Sequence, residues 1–310
     1  MTIVVGFAPD GHGRAVLHLA AMLARSSADD LLVCAVVPAS WFPSEARIDA
    51  EYRAELETVA NDALERSRAR LPSDVDATFL VHHARSVPAG LLEVAETHGA
   101  KVIVAGSAQS GGAGLVSVGS ATGRLLHSSP VPMAIAPRGF RARADARVTR
   151  VTAAFGGGEA DDLVIAAAGV AAQVGATLRV ASFAVRPRPP YTSGVGREAD
   201  DSITAEWTQQ IRERARAVLD EVAGLPATPT DLDCVVGRGE TWGDALDDVE
   251  WDDGDVLVVG SSSIGPVARV FLGSRATKIV RHSPVPVVVV PRGVVAELAH
   301  DAVHAESGRA

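Results

Sequence analysis

Aromatic residues are scarce in this chain. Phe, Trp and Tyr make up 4% of its 310 residues, with two tyrosines and four tryptophans in all. A protein that grips single-stranded nucleic acid by stacking needs a row of such rings. The formal net charge of −9 removes the electrostatic half of that grip as well. Cysteine is almost absent. Cys34 and Cys234 lie far apart, each inside an apolar run, and read as two buried reduced thiols rather than a disulfide or a metal ligand set. Long hydrophobic runs are missing too. The longest, VPVVVV and DVLVVG, have the length of strands and fall far short of the roughly 18 residues that suggest a membrane span. The opening Met1-Thr2 runs straight into IVVGF, without a basic n-region or a cleavage site. These absences speak against nucleic acid and membrane as partners and lead to the expectation of a cytoplasmic location.

What is present is written twice. GSATGRLLHSSPVPMAIAPRG (119–139) returns as GSRATKIVRHSPVPVVVVPRG (273–293), and Gly106, Gly119 and Pro130 recur at one constant offset as Gly260, Gly273 and Pro284. Near the start of each half, VGFAPDGHGRAV (5–16) matches AAFGGGEADDLV (153–164) more loosely. Internal repetition at this length means two copies of one domain. The reading is domain 1 over 1–140, a linker over 141–150, domain 2 over 151–295 and a tail or frayed helix over 296–310.

Each copy alternates short β-branched runs with amphipathic stretches: TIVVGF, LLVCAVV, ATFLVH, KVIVAG and VPMAIAP are strands in the first, with helical spacing between them. Continuous apolar strands separated by helices are parallel and covered on both faces. Each copy is therefore expected to be an α/β, Rossmann-like, doubly wound domain with a five-stranded parallel sheet. Ligands of such sheets bind beyond the carboxyl ends of the strands, where the strand order reverses. The loops GSAQSGGAGLVSVGS (106–120) and GSSSIGPVARVFLGS (260–274), which follow the fourth strand, are placed for that crevice.

Two α/β units, each with Gly-Ser, a loop, Gly-Ser, a short helix, S-P-V-P and an apolar strand, resemble a tandem universal stress protein, within the adenine nucleotide alpha hydrolase-like group of folds. The resemblance spans residues 1 to about 295. It implies a stress-response binding protein without turnover of its own, with ATP, accompanied by Mg²⁺, as the ligand. ATP-binding members carry G-x2-G-x9-G-[S/T], whose backbone amides and last hydroxyl meet phosphates. The physical logic holds on its own terms, because glycine lets amides approach an anion and a helix starting at Gly-Ser turns its positive end towards it. Carried over, the motif gives Gly260, Ser261, Ser263, Gly273 and Ser274 in the second copy and Gly106, Ser107, Gly119 and Ser120 in the first. The middle glycine is Ser263 in one copy and Gln109 in the other. The Asp that ends the first strand in ATP-binding members is Ala8 here and Gly156 in the second copy, with Asp10 two residues beyond the former. The second copy keeps the more intact loop. Ser120 and Ser274 are expected to be helix N-caps with or without a ligand.

Other constellations carry less. Gly156-Gly157-Gly158 lacks the serine and the spaced Asp of the adenylating S-G-G-x-D-S motif, and no Walker A sequence is present. Gly11-His12-Gly13 reads as a helix-start turn. His82-His83 have no Cys or Asp companion at ligand spacing and read as exposed strand-end residues. Neither a catalytic set nor a metal set is proposed from spacing. The acidic run from Asp244 to Asp255 reads as a solvated helix face, and 187–196 (PRPPYTSGVG) as an extended loop overhanging the pocket. The fifth strands, apolar on both faces, invite pairing. The two copies are expected to pair with each other, and association of two chains into a homodimer is left open. The alternative to nucleotide binding is a member that acts through protein contacts. A more remote one is an ATP-using enzyme of the same superfamily.

Overall fold

The structure, a computed structural model, describes residues 2–8, 13–38, 46–108, 112–156, 160–186, 197–261 and 272–305; over 46–50 and 197–204 it describes the backbone alone. The first copy is built from β1 (Thr2–Gly6), α1 (Arg14–Ser27), β2 (Asp30–Pro38), α2 (Ala46–Arg68), β3 (Ala77–Ala84), α3 (Val87–Thr97), β4 (Ala100–Gly106), α4 (Ser120–Ser128) and β5 (Met133–Ala136). The second runs through β6 (Arg150–Ala154), α5 (Asp161–Val174), β7 (Thr177–Val185), α6 (Arg197–Ala223), β8 (Leu232–Gly239), α7 (Trp242–Asp247), β9 (Asp255–Gly260), α8 (Ser274–His282) and β10 (Val287–Val290), and ends in α9 (Arg292–His304).

The strand runs are buried on both faces, as continuous apolar sequence requires; in β2 every residue from Leu31 to Val37 is buried. Successive side chains take opposite faces. Ile3 and Val5 belong to the core layer shared with α1, α2, α5, α6 and α9, whereas Val4 belongs to the layer shared with α3, α4, α7 and α8. Each half has the order β3-β2-β1-β4-β5 or its counterpart, all parallel. The halves are joined through their last strands: β10 runs antiparallel to β5, with Val288 opposite Ala134, and one ten-stranded sheet results. Both core layers run across this seam.

The residues between β5 and β6 are irregular but anchored. Val148 N–H donates to Ser26 Oγ at 2.7 Å, Arg25 reaches the Ala146 carbonyl at 2.8 Å, and Arg147 donates to the Arg25 carbonyl. Gly254, with φ +93°, is where this crossing needs glycine, because a Cβ there would come within 2.7 Å of the Arg147 carbonyl oxygen.

Sequence expectations are refined at three places. The region read as a tail or frayed helix from 296 is helix as far as His304, since α9 lays Val295, Ala299 and Ala302 against α5, and Gly169 leaves room for Ala302. The acidic run is solvated in all but one of its members: Asp244, Asp247, Asp248, Glu250, Asp252 and Asp253 are exposed and only Asp255 is buried. Asp244 and Thr241 form a reciprocal capping box, Asp248 accepts from Arg238 N–H, and Asp255 is buried and paired with Arg150 at 2.5 Å, with Asp252 3.0 Å from the same guanidinium. His82, partly buried, and His83, exposed, stand near the end of β3 as read, and they lie 3.0 Å from Glu93 and 3.6 Å from Glu57. Cys34 is fully buried and burial pushes its thiol up to about 12, so it is inert. Cys234 is partly buried. The overhanging loop at 187–196 lies outside the described residues, as do Asp10, Gly11, His12, Gln109, Gly157 and Gly158.

Candidate functional site

In the second copy a cleft of about 650 Å³ opens at the carboxyl ends of β6 and β9. These neighbours are the point where the crossovers diverge, β7 lying beyond β6 and β10 beyond β9. Gly156 and Gly260 form its floor. Its walls bring together residues remote in sequence: Phe183 from β7, Trp207 from α6, Trp242 at the start of α7, Arg275 and Ala276 from the first turn of α8, and Arg292 at the start of α9. Asp161 and Asp162, in the first turn of α5, complete the rim. One oxygen of Asp161, Oδ1, is buried without a hydrogen-bond partner among the described residues. Arg275 and Arg292 have no acidic partner among those residues either. The cleft thus offers the indoles of Trp207 and Trp242, the latter with Lys278 Nζ over its ring at 5.7 Å, two guanidinium groups, the unpaired amides at the start of α8 and one orphan acceptor.

Comparison with known proteins bears on this arrangement. A sequence model of the universal stress protein family matches residues 1–137 and again 148–291. Universal stress proteins of Mycobacterium bovis and Mycobacterium tuberculosis are each 41% identical to the chain over 296 residues, covering 94% of it and 100% of the relative. The chain belongs to the universal stress protein family. The crystal structure of a universal stress protein from Archaeoglobus fulgidus superimposes with a TM-score of 0.59 at 19% identity, over 94% of this chain and 98% of that one. That of a Pseudomonas aeruginosa protein gives 0.54 at 17%, over 97% of each. At such identities these two speak for the fold alone.

In this universal stress protein the sequence-derived loop residues are distributed unevenly. Gly260 and Ser261 line the cleft. Gly273 and Ser274 open α8, whose next residues line it, and Ser263 lies outside the described residues. Ser261 is partly committed elsewhere, because its Oγ accepts from Arg292 N–H at 3.0 Å and so receives the start of α9. Neither Ser120 nor Ser274 is an N-cap. The caps are Gly119 and Gly273 in extended backbone, and each serine is the first helical residue, exposed, with no side-chain capping bond made at either helix. Gly-Ser spacing invites the error because either residue can precede a helix.

In the first copy the described residues of the loop bond to one another and to β5 and the residues after it. Ser107 Oγ donates to the Ala136 carbonyl at 2.7 Å and accepts from Ser117 N–H at 3.0 Å. Ala108 N–H reaches the Ser117 carbonyl at 2.7 Å, and Gly114 and Leu115 bond to Arg138. Val116 is buried in the core layer that holds Leu125 and Ile135. Gly106 and Gly119 are needed for packing, since an added Cβ would press on Val16 at 2.8 Å and on Ala108 at 3.0 Å. At Gly260, by contrast, a Cβ would make ordinary contact with Leu163 at 3.5 Å. Gly106, Ser107, Gly119 and Ser120 do come together, but around their own backbone.

Sequence reasoning missed the cleft's aromatic and cationic walls. Their signal was available in the distribution of a rare residue: three of the four tryptophans, Trp207, Trp242 and Trp251, fall in the second copy. Trp251 is structural, donating Nε1–H to the Leu246 carbonyl at 2.8 Å. The other two face the cleft.

Among the described residues no group of three His, Cys, Asp or Glu side chains is arranged to hold a metal ion. Gly156 stands where ATP-binding relatives are expected to carry Asp, and a Cβ added there would meet no described atom within 4 Å. Gly156 itself therefore supplies no side-chain ligand for a divalent cation. No described helix is long and apolar enough to cross a membrane.

Proposed function

We propose that this universal stress protein binds one adenine nucleotide, ATP or a close relative, in the cleft of its second copy and has no turnover of its own. The observation that carries the reading is the meeting of Trp207, Trp242, Arg275 and Arg292 at the strand ends. A base stacked on an indole contributes about 1–3 kcal/mol. The phosphates fall to the two guanidinium groups and the α8 amides, which supply charge-assisted contacts. Asp161 Oδ1 is an acceptor suited to a ribose hydroxyl. With glycine at position 156, neutralisation rests on the arginines rather than on a protein-held Mg²⁺. The first copy, its loop bonded to itself, serves as a structural partner. The reading includes a cytoplasmic location and a chain that pairs its own halves instead of forming a homodimer.

Calorimetric titration with ATP, with and without Mg²⁺, tests this reading, together with assay of nucleotide carried through purification. Heat of binding that survives chelation of Mg²⁺ is expected. Absence of both bound nucleotide and heat at millimolar ATP overturns nucleotide binding in favour of a role through protein contacts. Release of ADP, AMP or pyrophosphate above a Ser274→Ala control overturns the absence of turnover.

A further inference from the structure

A second concavity, of about 350 Å³, lies beside α1. Its floor is apolar, made by Leu17, Ala21, Leu71 and Pro72. Its rim is basic, and the basic residues come from three remote parts of the chain: Arg14 and Arg25 from α1, Arg70 from the turn after α2, Arg141 and Arg143 from the connection between the copies. His18 sits among them and bonds to the backbone of Ala142. Asp74 answers Arg25 at 2.7 Å, and Asp145 lies 3.4 Å from Arg143. Arg14, Arg70 and Arg141 have no acidic partner among the described residues. This concentration of positive charge stands on a protein whose formal net charge is −9.

The repeat supplies an internal control. α1 and α5 have the same length and the same pattern of buried residues, so Arg14, Leu17, His18, Ala21 and Arg25 correspond to Asp161, Val164, Ile165, Ala168 and Ala172. No cation stands at any of those positions in the second copy. The basic rim is therefore not a requirement of packing a first helix on this sheet. It belongs to the one copy whose first helix is crossed by the arginine-bearing connection.

We propose that this groove is a binding site for a small organic phosphate, held by the unpaired guanidinium groups at its rim with its carbon body on the apolar floor. Guanidinium forks match phosphate oxygens in pairs, which a lysine cannot do. The volume is at the lower end of ligand pockets, about 300–1,000 Å³, and admits a compact ligand. Such a ligand would bridge α1, the turn after α2 and the connection, and so tie the seam between the copies.

Phenyl phosphate is a suitable probe, titrated calorimetrically into the full chain at low salt. The expected result is saturable binding, at least tenfold weaker in an Arg14→Ala/Arg141→Ala variant and unchanged in Arg216→Ala, which removes an exposed cation from α6. The His18 ring resonances should titrate at higher pH when the probe is bound. No heat at millimolar probe overturns the proposal. So does an equal loss in Arg216→Ala, which would mean general surface attraction, or a loss in Arg275→Ala with none in the rim variant, which would place the probe in the nucleotide cleft. An unmoved His18 titration overturns it even where heat is measured. All the arginines changed are exposed, and an unaltered thermal melt of each variant confirms that folding is not being read.

Discussion

At the scale of single residues, Gly156 is the most informative position. It follows the first strand of the second copy, borders the cleft and has room for a side chain. A carboxylate placed there would face the phosphates and any Mg²⁺ carried with them. Gly156→Asp is expected to make ATP binding Mg²⁺-dependent and to tighten it about 10–100-fold, corresponding to a charge-assisted contact of about 1.5–3 kcal/mol. Calorimetry in Mg²⁺ and in chelator checks this. His18 gives the pH-dependent counterpart. Burial lowers its pKa, the Ala142 backbone bond opposes that, and the charges of Arg141 and Arg14 lower it further. The unfolded chain therefore takes up the proton first. The stability His18 permits is full above its unfolded value and falls as pH drops below about 6.5 towards the folded value. His18→Gln should flatten the loss of stability in that window, seen in urea midpoints measured at several pH values.

At the scale of elements, much was legible because the repeat constrains itself. The strand runs and the helices between them follow from period and length, and two copies carrying the same Gly-Ser and S-P-V-P landmarks fix their order. What was not legible depended on pairing across the sheet. Asp255 sits in an acidic run of ordinary appearance, yet the start of β9 lies beside the start of β6, where Arg150 meets it. The helix α9 follows a Pro-Arg-Gly that looks like a terminus, and although its buried residues Val295, Ala299 and Ala302 have the i, i+4, i+7 spacing of one helical face, two of the three are alanines that mark it weakly. The walls of the cleft come from five elements, and no local motif joins Trp207 to Arg292. Arg150 and Asp255 carry the prediction for this scale. Asp255 has a fully buried side chain, so Arg150→Ala strands a buried carboxylate and should cost about 3–5 kcal/mol of unfolding free energy, measured by urea denaturation. A Lys at 150 should recover much of it, because Asp252 and Asp255 both bond the single nitrogen Nη2 and an ammonium carries donors enough for both.

At the scale of the whole molecule, the antiparallel β5–β10 ladder occupies two strands that would otherwise be apolar edges. The remaining edges are β3 and β8, which carry His82, His83, Asp233 and Arg238 and are poorly suited to pairing. Sedimentation equilibrium is expected to return a monomer of 32.0 kDa, and a mass near twice that would show that another surface pairs two chains. Duplication has also let the copies diverge. Among the described residues, one copy's loop bonds to itself around buried Val116, and the other copy's strand ends are lined with tryptophan and arginine. This division of labour shows in the stoichiometry of ATP per chain, measured by calorimetric titration. One nucleotide per chain is expected, with affinity lowered at least tenfold in Arg275→Ala/Arg292→Ala. Two nucleotides per chain, none at millimolar ATP, or a single site indifferent to that double substitution would contradict it.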